Sequence, residues 1–158
     1  WMGGGEMIKE VTLEKTVYND IPFKYEAGTP NIGGAVGLAA AIRYVSGLGL
    51  DNIAAHEQKL TDMAVEGLKA MPRLTVLAPD VPHSAVVSVL AGGIHHYDLG
   101  TLLDQMGIAV RTGHHCCQPL MCALGTTGTT RASFALYNTE EEVQTFLKSM
   151  NRALDMLS

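Results

Sequence analysis

A capped amphipathic helix at the end of the chain restricts the possible folds more than any other segment. Thr139, followed three residues later by Glu142, forms a capping box at the positive end of a helix dipole. The residues that then recur on one helical face are apolar: Val143, Phe146, Leu147, Met150, Ala153, Leu154 and Leu157. Because such a stripe must be covered by other elements, we predict a layered fold in which this helix covers a sheet or other helices.

The periodicity from residue 50 onward supplies the other elements of that fold. Asp51 is a fitting N-cap for a helix that runs to about Met71, and Pro72 ends it. Strands are predicted at 74–77, 85–90, 108–110 and 131–136, and helical segments at 97–106 and 120–124. We therefore predict the α/β class, as a two-layer domain with a small sheet covered by helices. Earlier residues predict a strand over 11–17, a loop over 23–31 and a small-residue helix over 33–45, broken by Gly47 and Gly49.

The segment 107–122, GIAVRTGHHCCQPLMC, concentrates reactive groups in a loop between a predicted strand and a predicted helix. A cysteine is most often a small core hydrophobe, but Cys116 follows Arg111, His114 and His115 instead of lying in an apolar run. Cationic neighbours favour the thiolate, which is the nucleophilic form, so we predict that Cys116 is the reactive sulfur. Cys117 would point the opposite way in an extended loop and is the lesser candidate.

The same cluster offers metal ligands, but its spacing disfavours a metal site. Four consecutive residues cannot readily close a tetrahedron around one ion, and structural zinc sites space their ligands in pairs. Cys122 lies beside Leu120 and Ala123, where a core position is expected. It would complete a site with His95 or His96 only if the fold brought them together. We therefore predict no metal site.

Two further segments are compatible with ligand binding. Arg131 opens a predicted strand, where it either grips a substrate carboxylate or remains a solvated charge. Gly28 and Thr29 precede a predicted helix and could present amide groups and a hydroxyl to a phosphate.

Composition and charge narrow the classes of protein to which the chain can belong. The net charge is −5 and the 11 lysines and arginines do not cluster, so nucleic acid is not an expected partner. We expect neither a membrane span nor a leader, and three cysteines within seven residues are typical of a reduced, cytoplasmic protein and not of a disulfide framework. The opening residues 1–6, with three successive glycines, look like an interrupted loop, so we expect a fragment of a longer protein.

Three motifs together resemble the C-terminal part of SUF-type (group II) cysteine desulfurases, which belong with selenocysteine lyases among the fold type I pyridoxal-phosphate enzymes. The motifs are FKYEAGTPN at 23–31, RTGHHC at 111–116 followed by QPLM, and RASFALYNTEEEV at 131–143. The opening WMGGGEMI is also similar to an internal loop of that family, and the resemblance covers essentially the whole chain.

The resemblance implies a fold, an activity and a set of site residues. Residues 1–31 would be a remnant of the large pyridoxal-phosphate-binding domain. Residues 32–158 would form the small α/β domain, with a mostly antiparallel sheet and a linking helix at 32–49. In such enzymes a cysteine takes sulfur from L-cysteine as a persulfide and releases L-alanine, for iron–sulfur cluster assembly. By position, Cys116 resembles that persulfide carrier and Arg131 the residue that grips the substrate carboxylate. Arg111 and His115 would shape the surroundings of the thiol.

The resemblance also implies partners, and the sequence departs from the family in places. Gly28 and Thr29 resemble the pair that reaches the cofactor phosphate of the neighbouring subunit in a homodimer. The expected partners are therefore a second subunit, L-cysteine and a sulfur-acceptor protein. Cys117 stands where the family usually has a small residue, often alanine, and TTGTT before Arg131 differs from the usual segment. Tyr97 before Asp98 favours an acceptor of the cysteine-based kind over one that contains zinc.

The six lysines decide what the chain does alone. None of them stands in the His-Lys context of the Schiff-base lysine, so we expect no bound cofactor and no turnover from this chain by itself. Two alternatives stay open: a selenocysteine lyase, which shares these motifs, and a non-catalytic module that binds a partner or a metal through its Cys/His loop.

Overall fold

The computed structural model describes residues 2–158, so Trp1, where the predicted opening loop starts, lies outside the described residues. The chain divides into two compact units, one that ends at Leu48 and one that runs from Gly49 to Ser158. This division differs from the predicted boundary after residue 31, because the helix that begins at Ile32 groups with the residues before it. The assignment of residues 1–31 to a larger domain stays a prediction.

In the first unit, the strand predicted over 11–17 is a hairpin. Strand β1 (Ile8–Val11) pairs antiparallel with β2 (Thr16–Tyr18), and Val11 lies opposite Thr16. Thr12 turns the chain, because its hydroxyl accepts hydrogen bonds from the amides of Glu14 at 3.2 Å and Lys15 at 3.1 Å. A single strand was therefore the wrong expectation for this segment, since threonine side chains readily replace ladder bonds by local ones.

The predicted loop at 23–31 is confirmed apart from one short 3-10 turn at Phe23–Tyr25. Helix α1 (Ile32–Leu48) follows, and Asn31 caps it by accepting a hydrogen bond from the amide of Gly34 at 2.9 Å. The helix continues through Gly47 and is interrupted only by Gly49, whose φ of 87° lies in the left-handed region. The predicted break at Gly47 was therefore wrong.

The second unit is a four-stranded antiparallel sheet with helices. Its strands are β3 (Leu74–Val76), β4 (Val86–Ala91), β5 (Arg111–Gly113) and β6 (Thr129–Ser133). Its helices are α2 (Leu50–Lys69), α3 (His96–Gln105), α4 (Gln118–Ala123) and α5 (Glu140–Met156). The strand order is β3-β4-β6-β5, so β4 and β6 are central and β5 is an edge. The predicted two-layer α/β class is confirmed.

One face of the sheet carries the hydrophobic core. In β4, Val87 and Val89 are buried while Val86, Ser88 and Leu90 beside them are only partly covered, as expected when helices lie on one side of a sheet. Leu68 of α2, Leu99 of α3 and Met150 of α5 are fully buried in the same cluster. Burying one such side chain contributes about 1.5–3 kcal/mol, so this contiguous cluster provides the main support of the sheet.

Several predicted boundaries shift by a few residues. Gly49, and not Asp51, is the N-cap position of α2, and Asp51 lies in the first turn of that helix. The strand expected at 108–110 begins only at Arg111, since the chain leaves α3 through a turn in which the amide of Ile108 donates to the carbonyl of Leu103 at 2.9 Å. The strand expected at 131–136 begins earlier, at Thr129, and ends at Ser133.

Helix α5 is the element that sequence predicted best. The capping box is present in both directions: the amide of Glu142 donates to the Thr139 hydroxyl at 3.2 Å, and the amide of Thr139 donates to the Glu142 carboxylate at 2.9 Å. The pKa of Glu142 is lowered by two hydrogen bonds that its carboxylate accepts, first from the side-chain amide of Asn138 and second from the backbone amide of Thr139. These hydrogen bonds fix the start of α5, the helix that follows β6.

Among residues 2–158, no single helix is both long enough and apolar enough to cross a membrane, and α1 and α2 meet that criterion only as a bent pair taken together.

Replacing Thr139 by alanine tests the cap of α5. We expect the free energy of unfolding to fall by about 1 kcal/mol, because the amide of Glu142 loses its acceptor. Urea denaturation followed by circular dichroism measures the change. Thr139→Ser keeps the acceptor oxygen and is the matched control, so equal losses in the two variants would contradict this account of the helix start.

Candidate active site

The two sheet faces carry different chemistry where β5 pairs with β6. Gly100 of α3 has no side chain, and a Cβ built there would lie 2.4 Å from Cγ2 of Thr112, so Thr112 faces the helices. Its cross-strand partner Thr130 does so too, since its hydroxyl donates to the carbonyl of His96 at 3.4 Å. Because side chains alternate along a strand, Arg111 and Arg131 lie on the opposite face of the sheet.

Arg111 and Arg131 are direct cross-strand partners on that face. Side chains at such positions have Cβ atoms about 4.5–5.5 Å apart, and like charges placed there destabilise a sheet. Two positively charged side chains at opposed positions are therefore an unfavourable arrangement for the free protein. They are a favourable one for an anion that lies between them or against them.

Arg131 is the less exposed of the two arginines, and one of its N–H donors is unpaired within residues 2–158. Its Nε is buried and, within residues 2–158, has no hydrogen-bond partner. On the other side of Arg131, β4 places Ser88 directly opposite. A buried unpaired donor is costly, by about 1–3 kcal/mol, and a carboxylate that binds a guanidinium in the bidentate manner would satisfy it. The buried donor is compatible with recognition of a small carboxylate, and that role of Arg131 stays a prediction.

His115 covers part of the same face. A hydrogen bond of 2.8 Å joins its Nε2 to Oγ1 of Thr129, which shares the face of Arg131 two residues away and is only 1% exposed. Burial lowers the pKa of His115, and the positive charge of Arg131 lowers it further. The imidazole is therefore held neutral near pH 7, which leaves the two arginines as the permanent cations of the site.

Cys116 lies on a tight turn directly after β5. The amide of Cys117 donates to the carbonyl of His114 at 2.9 Å, and the two central residues of the turn, His115 and Cys116, have φ values of 52° and 57°. Positive φ at both central positions is typical of type I′ turns, which favour glycine and asparagine. The amide of Cys116 also donates to Nδ1 of His114 at 3.0 Å. The chain thus holds an unfavourable backbone at the residue predicted to be reactive.

The turn corrects two expectations about the cysteines. The loop is a tight turn and not extended, so its backbone does not direct Cys117 away from Cys116 as expected for an extended strand. Cys122 is exposed and not in the core, and Met121 is the residue of α4 that is buried, at 5% exposure. All three cysteines are free and exposed. In the part of the chain that the structure describes, no three His, Cys, Asp or Glu residues are grouped as metal ligands.

Gly128 brings the site strands and α3 together. A Cβ at this position would lie 2.5 Å from Nε2 of His96 and 2.7 Å from the backbone carbon of Gly113. The first half of the segment TTGTT is a turn, in which the Thr126 hydroxyl donates to the carbonyl of Gly128 at 2.9 Å. Its last two threonines belong to β6, and both are buried.

Gly28 and Thr29 belong to the other unit. Gly28 has a φ of 80°, and its amide is already used, since it donates to the carbonyl of Gly5 at 2.9 Å. Thr29 is exposed, and within residues 2–158 no other residue binds its hydroxyl. The Thr29 hydroxyl is therefore free to bind a ligand, whereas the amide of Gly28 is not, and a phosphate-binding role for this pair stays a prediction.

Two residues of the site escaped sequence reasoning, Thr129 and Ser88. Thr129 could have been found as the residue two positions before Arg131 on the same strand face, had the strand start been placed correctly. Ser88 becomes visible only through the pairing of β4 with β6, which sequence alone does not give.

Comparison with known proteins gives consistent matches over nearly the whole chain. The family model described as aminotransferase class-V matches residues 1–146. A probable cysteine desulfurase of Vibrio cholerae is 43% identical over 157 residues, which are 99% of this chain and 39% of that protein. A cysteine desulfurase of Escherichia coli is 48% identical over 153 residues, which are 96% of this chain and 37% of that protein. The chain thus spans about two fifths of the length of the curated relatives it matches.

Solved structures match the fold. The cysteine desulfurase CsdA of Escherichia coli superposes with a TM-score of 0.85 at 37% identity, over 99% of this chain and 39% of its own. The apo cysteine desulfurase of Thermococcus onnurineus gives a TM-score of 0.83 at 44% identity, over 96% of this chain and 38% of its own. These matches confirm the predicted fold, that of part of a fold type I enzyme.

The titration of His115 tests the electrostatics of the site. We expect its C2 proton, followed by NMR, to titrate below the ordinary value of 6.5, and Arg131→Ala to raise the pKa because a neighbouring cation is removed. Arg152→Ala, which removes an exposed arginine of α5, is the matched control and leaves the pKa unchanged.

The same shift has a consequence for stability. A lowered histidine pKa means that the unfolded chain binds more protons, so His115 makes the native state less stable as the pH falls below 6.5.

In the NMR titration, a His115 pKa that does not respond to Arg131→Ala would contradict the placement of these two residues on one face.

Proposed function

The chain belongs to the aminotransferase class-V family, and from that premise we propose that it forms the C-terminal part of a pyridoxal-phosphate-dependent cysteine desulfurase. The intact enzyme would move sulfur from L-cysteine to one of its own cysteines and release L-alanine. The relatives at 43% and 48% identity are named as cysteine desulfurases, which supports this choice within the family.

One observation carries the proposal: a pair of cross-strand arginines lies beside a turn that presents a free cysteine. Arg131 and Arg111 bind the carboxylate of an amino acid, and the buried Nε of Arg131 gains the acceptor it lacks. Cys116 follows β5 by three residues, so an amino acid held at the arginines has its side chain within reach of the same loop. Substrate and thiol are thereby brought together by a single pair of strands.

The chemistry of this chain is the acceptance of sulfur. Pyridoxal phosphate, when bound, supplies the electron sink that weakens the C–S bond of the amino acid. The thiolate of Cys116 attacks the substrate sulfur, the C–S bond breaks and the sulfur remains on Cys116 as a persulfide. The electron pair of the broken bond stays with the carbon skeleton, which is protonated and leaves as L-alanine. Neutral His115, which is hydrogen-bonded to Thr129, limits the orientation of the turn during this step.

Only part of a cofactor site is provided by these residues. The exposed hydroxyl of Thr29 fits the cofactor phosphate, and in the proposed homodimer it serves the neighbouring subunit. The six lysines are all exposed, and none lies on β5, β6 or the turn after β5. The anchoring lysine is therefore proposed to come from the part of the enzyme that this chain does not include.

We extend the proposal to the finer features of the family. The motifs at 111–116 and 131–143 favour the SUF-type, group II kind, which serves iron–sulfur cluster assembly through a sulfur-acceptor protein. Three free cysteines fit a reducing compartment, and we propose the cytoplasm. A selenocysteine lyase would use the same residues, and a comparison of L-cysteine with L-selenocysteine as substrate distinguishes the two.

Kinetics of the longer enzyme test the roles of Cys116 and Arg131. Arg131→Ala should raise the KM for L-cysteine by about 10- to 100-fold, because a hydrogen bond to a charged group contributes about 1.5–3 kcal/mol. Cys116→Ser should abolish the formation of an enzyme persulfide. Arg152→Ala and Cys122→Ser are the matched controls and keep wild-type values. An unchanged turnover in Cys116→Ser would overturn the proposal.

The isolated 158-residue chain should release no L-alanine when it is mixed with L-cysteine and pyridoxal phosphate, because the anchoring lysine is missing. Quantification of alanine by mass spectrometry is the measurement, with the longer enzyme as the positive control. Alanine formed by this chain above the cofactor-only background would contradict the proposal that the anchoring lysine comes from another part of the enzyme.

A further inference from the structure

We propose that Cys117 is a second sulfur carrier, which takes the terminal sulfur from the Cys116 persulfide before that sulfur leaves the protein. The inference rests on the proposed role of Cys116 as the first carrier. It adds a second sulfur-transfer step, which depends on the two adjacent cysteines that this sequence has at the tip of one turn.

The turn makes both sulfurs available at the same place. Cys116 is a central residue of the turn and Cys117 its last residue, whose amide closes the turn on the carbonyl of His114. Both side chains are exposed, and in residues 2–158 neither sulfur has a hydrogen-bond partner. The two thiols are therefore free to rotate about χ1 and are not committed to the core or to a metal.

Distances decide which sulfur atom Cys117 attacks. Cα atoms of neighbouring residues are about 3.8 Å apart, below the range of about 4.4–6.8 Å found for disulfides, so direct closure of a Cys116–Cys117 disulfide is strained. In-line attack on the terminal sulfur needs the two enzyme sulfurs about 4 Å apart, because the S–S bond is about 2 Å long. Adjacent exposed side chains can adopt that separation. The terminal sulfur is therefore the favoured target.

The step is balanced without an added oxidant or reductant. The thiolate of Cys117 attacks the terminal sulfur of Cys116–S–SH, a new S–S bond forms on Cys117, the old S–S bond breaks and Cys116 leaves as a thiolate. One cysteine persulfide is exchanged for another, so the equilibrium constant is close to one and roughly half of the sulfur resides on each residue. Cys116 is thereby freed for the next substrate while Cys117 holds the sulfur for an acceptor.

Chemical loading of the 158-residue chain tests this step apart from the desulfurase reaction. Inorganic polysulfide is the sulfur donor, samples are quenched with iodoacetamide at increasing times, and tandem mass spectrometry locates the extra sulfur. In the wild-type chain we expect it first on Cys116 and then shared between Cys116 and Cys117 in roughly equal amounts. In Cys117→Ala it should stay on Cys116, and Cys122→Ala is the matched control that behaves as wild type.

A third variant excludes direct loading of the second thiol. In Cys116→Ala, Cys117 should load no faster than exposed Cys122. Equal rates of Cys117 loading with and without Cys116 would overturn the relay, as would sulfur that stays on Cys116 at all times, or release of sulfide with a Cys116–Cys117 disulfide. Loading of the longer enzyme with L-cysteine separates the two proposals: no persulfide on either residue refutes the proposed function, whereas persulfide on Cys116 alone refutes only the relay.

Discussion

The candidate site depends on one electrostatic constraint, the forced proximity of two arginines across a pair of strands. The register of β5 against β6 places Arg111 opposite Arg131 on the face that the helices do not cover. Mutual repulsion there is unfavourable until an anion binds. The buried Nε of Arg131, which has no acceptor within residues 2–158, would also gain a hydrogen bond from that anion. The hydrophobic core on the other face, built on Leu68, Leu99 and Met150, holds the strands in register in spite of this repulsion.

The reactive turn follows from the same register. β5 ends at Gly113, and the next four residues reverse the chain so that His115 returns to β6 and binds Thr129. Two non-glycine residues with positive φ are unfavourable by about 1–2 kcal/mol each, and the hydrogen bonds of His114 and His115 offset part of this. The strained backbone and the fixed imidazole hold Cys116 at the tip of a short turn, next to the carboxylate-binding face.

The sequence predicted the parts of this arrangement that local rules govern. The capping box at Thr139, the apolar stripe of α5 and the cluster around Cys116 all depend on residues close in sequence. Strand ends were less predictable, because Thr129 belongs to β6 only through its pairing with Gly113. The exposure of Cys122 and the conformation of the turn also depend on tertiary contacts. The partnership of Arg111 with Arg131 is a matter of register, which no local pattern specifies.

A double-mutant cycle on the arginine pair tests the central claim most directly. The free energies of unfolding of the wild-type chain, Arg111→Ala, Arg131→Ala and the double variant are measured by urea denaturation in a buffer without carboxylates or sulfate. The account predicts an unfavourable coupling between the two arginines of about 0.5–1 kcal/mol, which becomes smaller when acetate is added. A coupling of zero, or a favourable one, would contradict the claim that this sheet face is built to receive an anion.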